Sequence, residues 1–415
     1  MPTMLVLVAI GLAVGAIELD GVLGDDLGTR FPRLFGAGAE GSRELLSAIA
    51  SSTITVAGVV FSITIVTLSL AAAQYSPRVL RNFMSDRANQ VVLGVFVGVF
   101  VYCVLVLRTI RSGEEGFVPG ASILIAIALA LTGIAFLIFF IHHTATSIQV
   151  SEIAARIWGE TMNALRRGRP ESYENTASVR EIEAWFTRCA HVQATATGYI
   201  QRVDISALIR WAKEHERALW VEKAVGEFVV AGECLARVRD AEPVQDNAAS
   251  GLHEAFTVNT YRDVTQDPAF GLQQLVEIAL KALSPGVNDT GTARDALNYI
   301  TAIMVEIVRS PRPAHCVRRD GDSPILVARM RGFDELAQLA FAPLRRNATR
   351  NFEVTRHLLV ALKLLSELAN DATVRRTIAQ EIAAVDEAFD RSSVTRAESL
   401  VISALIAAAR DRTDA

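Results

Sequence analysis

"SSTITVAGVVFSITIVTLSLAAAQYSPR", Ser51–Arg78, carries no charge until its last residue. It outruns the roughly 20 residues that a helix needs to cross the hydrocarbon of a bilayer. The charge-free run around it, Leu45–Ala73, must tilt, kink or project beyond the lipid. Wound at about 100° per residue, Ser51, Thr55, Gly58, Ser62 and Ser69 gather on one side, while Thr53, Ala57, Thr64 and Ala71 gather on the other. Such a helix can use both sides for packing, each hydroxyl bonding a carbonyl one turn back. Alternatively one side packs and the other lines a water-filled path, where neutral donors and acceptors replace part of an ion's hydration. Thr55, Ser62 and Ser69 are then the pore-lining positions.

Three further segments, Met4–Ile17, Ala88–Leu107 and Phe117–Ile141, are apolar enough to span. The first lacks a basic leader and a small-residue cleavage site, so it reads as a spanning helix rather than a signal peptide. Charges fall between the segments: Asp20, Asp25, Asp26 and Glu40 in one link, Glu114 and Glu115 in another. With no charge inside a segment, the pattern speaks against a proton-coupled transporter. Arg78, Arg81 and Arg87 follow the second segment, and Arg156, Arg166, Arg167 and Arg169 follow the fourth. That modest bias places those ends, and both termini, in the cytoplasm.

Ser76 can cap a short helix opening at Pro77, with Val79, Leu80, Phe83 and Met84 on its apolar face. Pro77, Arg78, Arg81 and Arg87 would form an interfacial collar. His142 and His143 close the fourth segment. Imidazole titrates near neutrality, so they are pH-sensing candidates, the plainer reading being interfacial residues at a helix end.

The chain has 415 residues, 51% of them hydrophobic, with a mean hydropathy of +0.30. The apolar excess sits in the first third, which predicts a membrane domain followed by a water-soluble one. A net charge of −4 without a basic block leaves no footprint for nucleic acid. Cys103, Cys189, Cys234 and Cys316 lie far apart, which argues against disulfide staples and a zinc site. No catalytic constellation, metal site or cofactor motif stands out.

The predicted fold is a four-helix transmembrane domain over residues 1–145, a helical connector over 146–190, a small β-rich unit over 191–240 and a mainly helical cytoplasmic domain over 241–415. Ile148, Ile153, Ile157, Met162 and Leu165 extend the helical spacing of the fourth segment, predicting a rod that runs on to Gly168. Val192–Val238 alternates like strands around a helical insert at Ser206–His215, and Pro324–Met330 reads as a further strand. Helices are expected near Asp334–Ala342, Phe352–Leu368, Val374–Phe389 and Val394–Arg410.

Ser284, Pro285 and Gly286 break one helix, and Thr292 with Asp295 predicts a capping-box start for the next. A glycine-containing loop at a helix start can hold an anion, so Ser284, Gly286, Asn288, Asp289 and Thr292 form a candidate anion-binding loop, with Arg262 and Arg294 to add charge. The alternative is a tight corner in which Asn288 and Asp289 bond their own backbone.

"AGVVFSITIVTLSLAAAQYSPRVL", "FIHHTATSIQV", "TGYIQRVD", "QDPAFGL" and "ALSPGVNDTGTA" occur in this order over nearly the whole chain. Together they resemble the bacterial integral membrane proteins grouped as DUF2254. The resemblance implies a multi-pass protein of the bacterial cytoplasmic (inner) membrane and carries no catalytic residue. One departure is Thr290 after Asp289, where the family usually has proline. The functional expectation is a homo-oligomeric channel or permeation pathway in the lipid bilayer, with a cytoplasmic domain for regulation or assembly. The alternative is a membrane-anchored sensor or scaffold that binds a small anionic ligand or a protein partner.

Overall fold

The apolar runs form four helices long enough to cross a membrane: α1 (Pro2–Leu23), α2 (Gly38–Gln74), α3 (Arg87–Leu107) and α4 (Gly120–Ser147). The computed structural model describes residues 1–23, 38–74, 87–111, 117–147, 149–168, 179–239, 251–310, 315–320 and 323–413. At about 1.5 Å per residue α2 is about 55 Å long, well beyond the hydrocarbon thickness. Its N-terminal turns start seven residues before the charge-free run and include Glu40, Arg43 and Glu44.

Among these helices α3 is the most enclosed, because α1, α2 and α4 all pack against it. Ala13, Ala16, Leu46, Ala50, Val99, Tyr102 and Cys103 fill one part of the core. Ala57, Val60, Val92, Phe96 and Phe140 fill another.

Residues Met1–Gln149 and Val150–Ala415 form two compact units. The expected rod is interrupted at this boundary. Helix α4 ends at Ser147 and α5 (Val150–Arg167) starts three residues later. Gln149 between them is not helical and bonds through its amide to the Thr146 carbonyl at 3.1 Å.

The second unit contains α6 (Val179–Trp185), β1 (Cys189–Gln193), β2 (Gly198–Val203), α7 (Ile205–Glu214), β3 (Leu219–Val221), β4 (Phe228–Val229), β5 (Cys234–Arg239) and β6 (Phe256–Asn259). Then come α8 (Pro268–Ala282), α9 (Thr290–Arg309), β7 (His315–Asp320), β8 (Ser323–Arg329), α10 (Phe333–Asn347), α11 (Phe352–Leu368), α12 (Ala372–Ala388) and α13 (Arg396–Thr413).

A five-stranded sheet runs in the order β1-β5-β3-β8-β7, and a three-stranded sheet in the order β4-β2-β6. Among the described strands only β3 and β8 pair in parallel, Leu219 opposite Leu326 and Val221 opposite Ala328. The larger sheet therefore draws strands from both the 189–239 and the 315–329 stretches. Ile200, Leu208, Leu219, Leu235 and Leu252 build the core shared by the sheets and α7. On a second cluster Ile182 and Phe186 pack with Trp220, Val317 and Val327.

Helix starts are set by short side chains accepting a free amide. Asp204 takes the Ala207 amide, Asp267 the Phe270 amide, and Asn351 the Val354 amide. Helix α5 packs on α8 and α9 and comes close enough that a Cβ on Gly271 would lie 1.8 Å from Thr161 Oγ1.

Candidate functional site

The two sides of α2 have different fates. Thr53, Ala57, Val60 and Thr67 are buried against the rest of the membrane unit. Thr55, Gly58, Ser62 and Ser69 are exposed. Thr53 Oγ1 donates to the Ile49 carbonyl at 2.8 Å and Thr64 Oγ1 to the Val60 carbonyl at 2.8 Å. Thr55 Oγ1 likewise donates to the Ser51 carbonyl at 2.7 Å. An exposed hydroxyl so bonded is tolerable against lipid and still offers its lone pairs to water or a neighbouring helix.

The reading of Asp20 as a charge in the link after the first segment needs correction. Helix α1 continues through it to Leu23, and Asp20 is only 5% exposed. Its Oδ1 accepts the Ala121 amide at 2.8 Å, and its Oδ2 accepts the Ser122 amide at 2.9 Å and the Ser122 hydroxyl at 2.5 Å. A carboxylate from the first spanning helix thus caps the fourth, where free amides and the helix dipole favour negative charge. Tyr102 Oη donates to the Ser122 carbonyl at 3.0 Å, tying α3 to the same turn. Arg43 donates to the Ile110 carbonyl at 3.0 Å and fastens α2 to the segment just after α3.

A second feature was readable as Gly94 and Gly98, four residues apart on α3. A Cβ at Gly94 would meet Leu5 Cδ1 at 2.7 Å and the Pro2 Cα at 3.0 Å, and one at Gly98 would meet the Ala9 Cβ at 3.3 Å. The two glycines let the α1 and α3 backbones close together, as small residues spaced by four do in membranes.

Of the proposed collar, Pro77, Arg78 and Arg81 lie outside the described residues, and Arg87 is the exposed first residue of α3. His142 is exposed and His143 half-buried. The His143 ring stacks on Phe139, with centroids 5.6 Å apart.

At the 284–292 loop, the residue that opens α9 is Asp289, not Thr292. Asp289 accepts the Thr292 amide at 3.0 Å and the Thr292 hydroxyl at 2.6 Å. These bonds hold its carboxyl below the usual aspartate range. Ser284 Oγ turns back to the Lys281 carbonyl at 2.7 Å, and Asn288 adopts a positive φ of 48°. The chain's own carboxylate therefore occupies the Thr292 amide at this helix start. Arg262, expected as extra charge for this loop, is engaged elsewhere.

That place is the start of α8, inside the "QDPAFGL" stretch. Asp267 is 2% exposed; it caps α8, and Pro268 occupies the first turn. Arg262 clamps its Oδ2 through Nε at 2.8 Å and an Nη at 2.6 Å, and bonds Gln273 at 2.7 Å. Gln266 accepts the Val203 amide at 3.1 Å, joining β2 to this corner. Gly226, with φ of 85°, passes so close that a Cβ would lie 1.9 Å from Asp267 Oδ2. Burial pushes the Asp267 carboxyl up, against the lowering effect of Arg262 and Arg331. Among the described residues, no three of His, Cys, Asp and Glu are grouped to hold a metal.

The family described as "Predicted membrane protein (DUF2254)" matches residues 1–364. The chain belongs to the DUF2254 family. An uncharacterized protein of Mycobacterium tuberculosis (strain CDC 1551) is 30% identical to it over 412 residues, covering 97% of this chain and 78% of the relative. An uncharacterized protein of Mycobacterium bovis is also 30% identical over the same share of each chain. No solved structure matches the chain. For DUF2254 the description is one of membrane location, in agreement with the four spanning-length helices.

Proposed function

We propose that this DUF2254 member is a homo-oligomeric channel or permeation pathway. In this reading α2 of each copy faces a shared axis, and the unit after Val150 regulates or assembles the ring. The observation that carries it is the division of α2. One small-residue face is spent on packing within the chain, while Thr55, Ser62 and Ser69 on the other face remain exposed. Large buried side chains, Tyr102 and Phe140 among them, fill the bundle interior, so a hydrated path would have to run between copies.

The basic residues flanking the second and fourth helices support placing both termini in the cytoplasm of a bacterial cell bounded by its cytoplasmic membrane. For a membrane-anchored sensor, support comes from the cavity beside Asp267; in the 284–292 loop Asp289 already holds the Thr292 amide.

The test is light scattering of the purified protein corrected for bound detergent, followed by single-channel recording. A closed ring of three or more copies whose conductance drops in Ser62→Trp supports the pathway. A monomer, or an unchanged conductance in Ser62→Trp, overturns it.

A further inference from the structure

The end of β8, the start of α8 and the end of α9 enclose a cavity of about 100 Å³ lined by Asp267, Glu306, Ser310, Arg329 and Arg331, with Leu336 among its apolar walls. Most charges around it are matched within the chain. Arg262 holds Asp267. Arg329 pairs with Glu227 at 3.2 Å and with Glu335 at 3.3 Å. Arg331 and Glu306 are different. Both are half-buried, both line the cavity, and neither forms a hydrogen bond or an ion pair with another described residue; Arg331 acts on Asp267 through its charge. Among the described residues the cavity thus has, on the β8 side, a cation without a hydrogen-bonded partner and, on the α9 side, an anion without one.

We propose that this cavity binds a small zwitterion, an α-amino acid of glycine or alanine size, with its carboxylate on Arg331 and its ammonium on Glu306. Charge selects this class, and a cavity of about 100 Å³ admits several waters or a small organic molecule in their place. A simple anion on Arg331 would leave Glu306 facing like charge, and a simple cation on Glu306 would face Arg331. A zwitterion satisfies both with charge-assisted hydrogen bonds. The cavity lies wholly within the unit after Val150, so occupancy does not depend on whether α2 lines a pore.

The experiment is calorimetric titration of the full chain in detergent with glycine and L-alanine, beside acetate, inorganic phosphate and methylammonium. The expected result is saturable binding of glycine or L-alanine, with acetate, phosphate and methylammonium at least about tenfold weaker. Arg331→Met and Glu306→Gln should each weaken that binding about tenfold or more. If Arg331→Met does not fold, Arg331→Lys serves, with the same loss expected because a point charge cannot reproduce the two-pronged carboxylate grip. Absence of saturable binding by both amino acids overturns the proposal. So does binding of acetate or phosphate as tight as that of glycine and indifferent to Glu306→Gln, which would mark a plain anion site. Amino-acid binding insensitive to both substitutions would place the site elsewhere and equally overturn it.

Discussion

Asp20 Oδ2 sits 2.5 Å from Ser122 Oγ and 2.9 Å from the Ser122 amide, across 102 residues of sequence. One carboxylate at the end of α1 therefore satisfies three donors at the start of α4, counting the Ala121 amide. Asp20→Ala would strand those donors where water is scarce and should cost about 2–4 kcal/mol. Asp20→Asn keeps part of the acceptor capacity and should lose less. Unfolding of the two variants in mixed detergent micelles checks the order; equal stability of Asp20→Ala and the wild type would refute it.

Gly94 and Gly98 predict a contrast between two glycine substitutions in spanning helices. Gly94→Ile should drive α1 away from α3, since even a Cβ meets Leu5 and Pro2; overpacking of this kind costs about 1–3 kcal/mol or more. Gly11→Ile, where a Cβ meets nothing within 4 Å, should be nearly neutral. Comparing the melting temperatures of the two variants decides it.

Gly271→Ala sets helix propensity against packing. Propensity alone would give about 1 kcal/mol in favour of alanine, but the new Cβ would lie 1.8 Å from the buried Thr161 Oγ1. A net loss of about 1–3 kcal/mol is expected. Adding Thr161→Gly to Gly271→Ala should recover part of it, which a double-mutant cycle measures.

At the α8 corner, Arg262→Met would leave the Asp267 carboxylate buried without its ion-pair partner. A loss of about 3–5 kcal/mol follows. Gly226→Ala should be comparably damaging, since it adds a Cβ at positive φ and against the same carboxylate. Denaturant midpoints for the two variants provide the check.

Glu381 predicts a pH dependence. Burial in α12 holds its carboxyl above the ordinary value of 4.5, a shift that Arg345 and Arg346 only partly oppose. The folded chain then binds this proton more tightly than the unfolded chain. Its contribution is fully present below 4.5 and is lost as pH rises through the raised value. Glu381→Gln, neutral throughout, should gain stability relative to the wild type as pH climbs from about 4.5 towards neutrality. A gap between the two denaturation midpoints that is constant with pH would contradict this.

The spanning helices were legible because a charge-free run of bilayer length has few other uses. The helices from α10 onward were legible from their apolar spacing, and Phe352–Leu368 is found at its expected bounds. Asp20 was not, because an acid just beyond an apolar run looks like loop charge until its partner 102 residues away is known. Strand β7, "HCVRRD", is mostly polar and gains its identity by pairing with β8 at the sheet edge. The β3–β8 pairing joins segments about 100 residues apart, and no local pattern encodes such a partnership. At α9, the spacing of Asp289 and Thr292 was available, but the cap falls three residues before the expected one.

The Asp20 cap also bears on how the protein is made. At about 5–20 residues per second, α1 is synthesised some 5–20 s before the Ser122 turn exists. Asp20 stands in the last turn of α1 rather than at its centre, so during that interval its carboxylate can rest at the watery rim of the bilayer. The first helix can thus enter the membrane alone and wait, and emergence of the last helix closes the bundle.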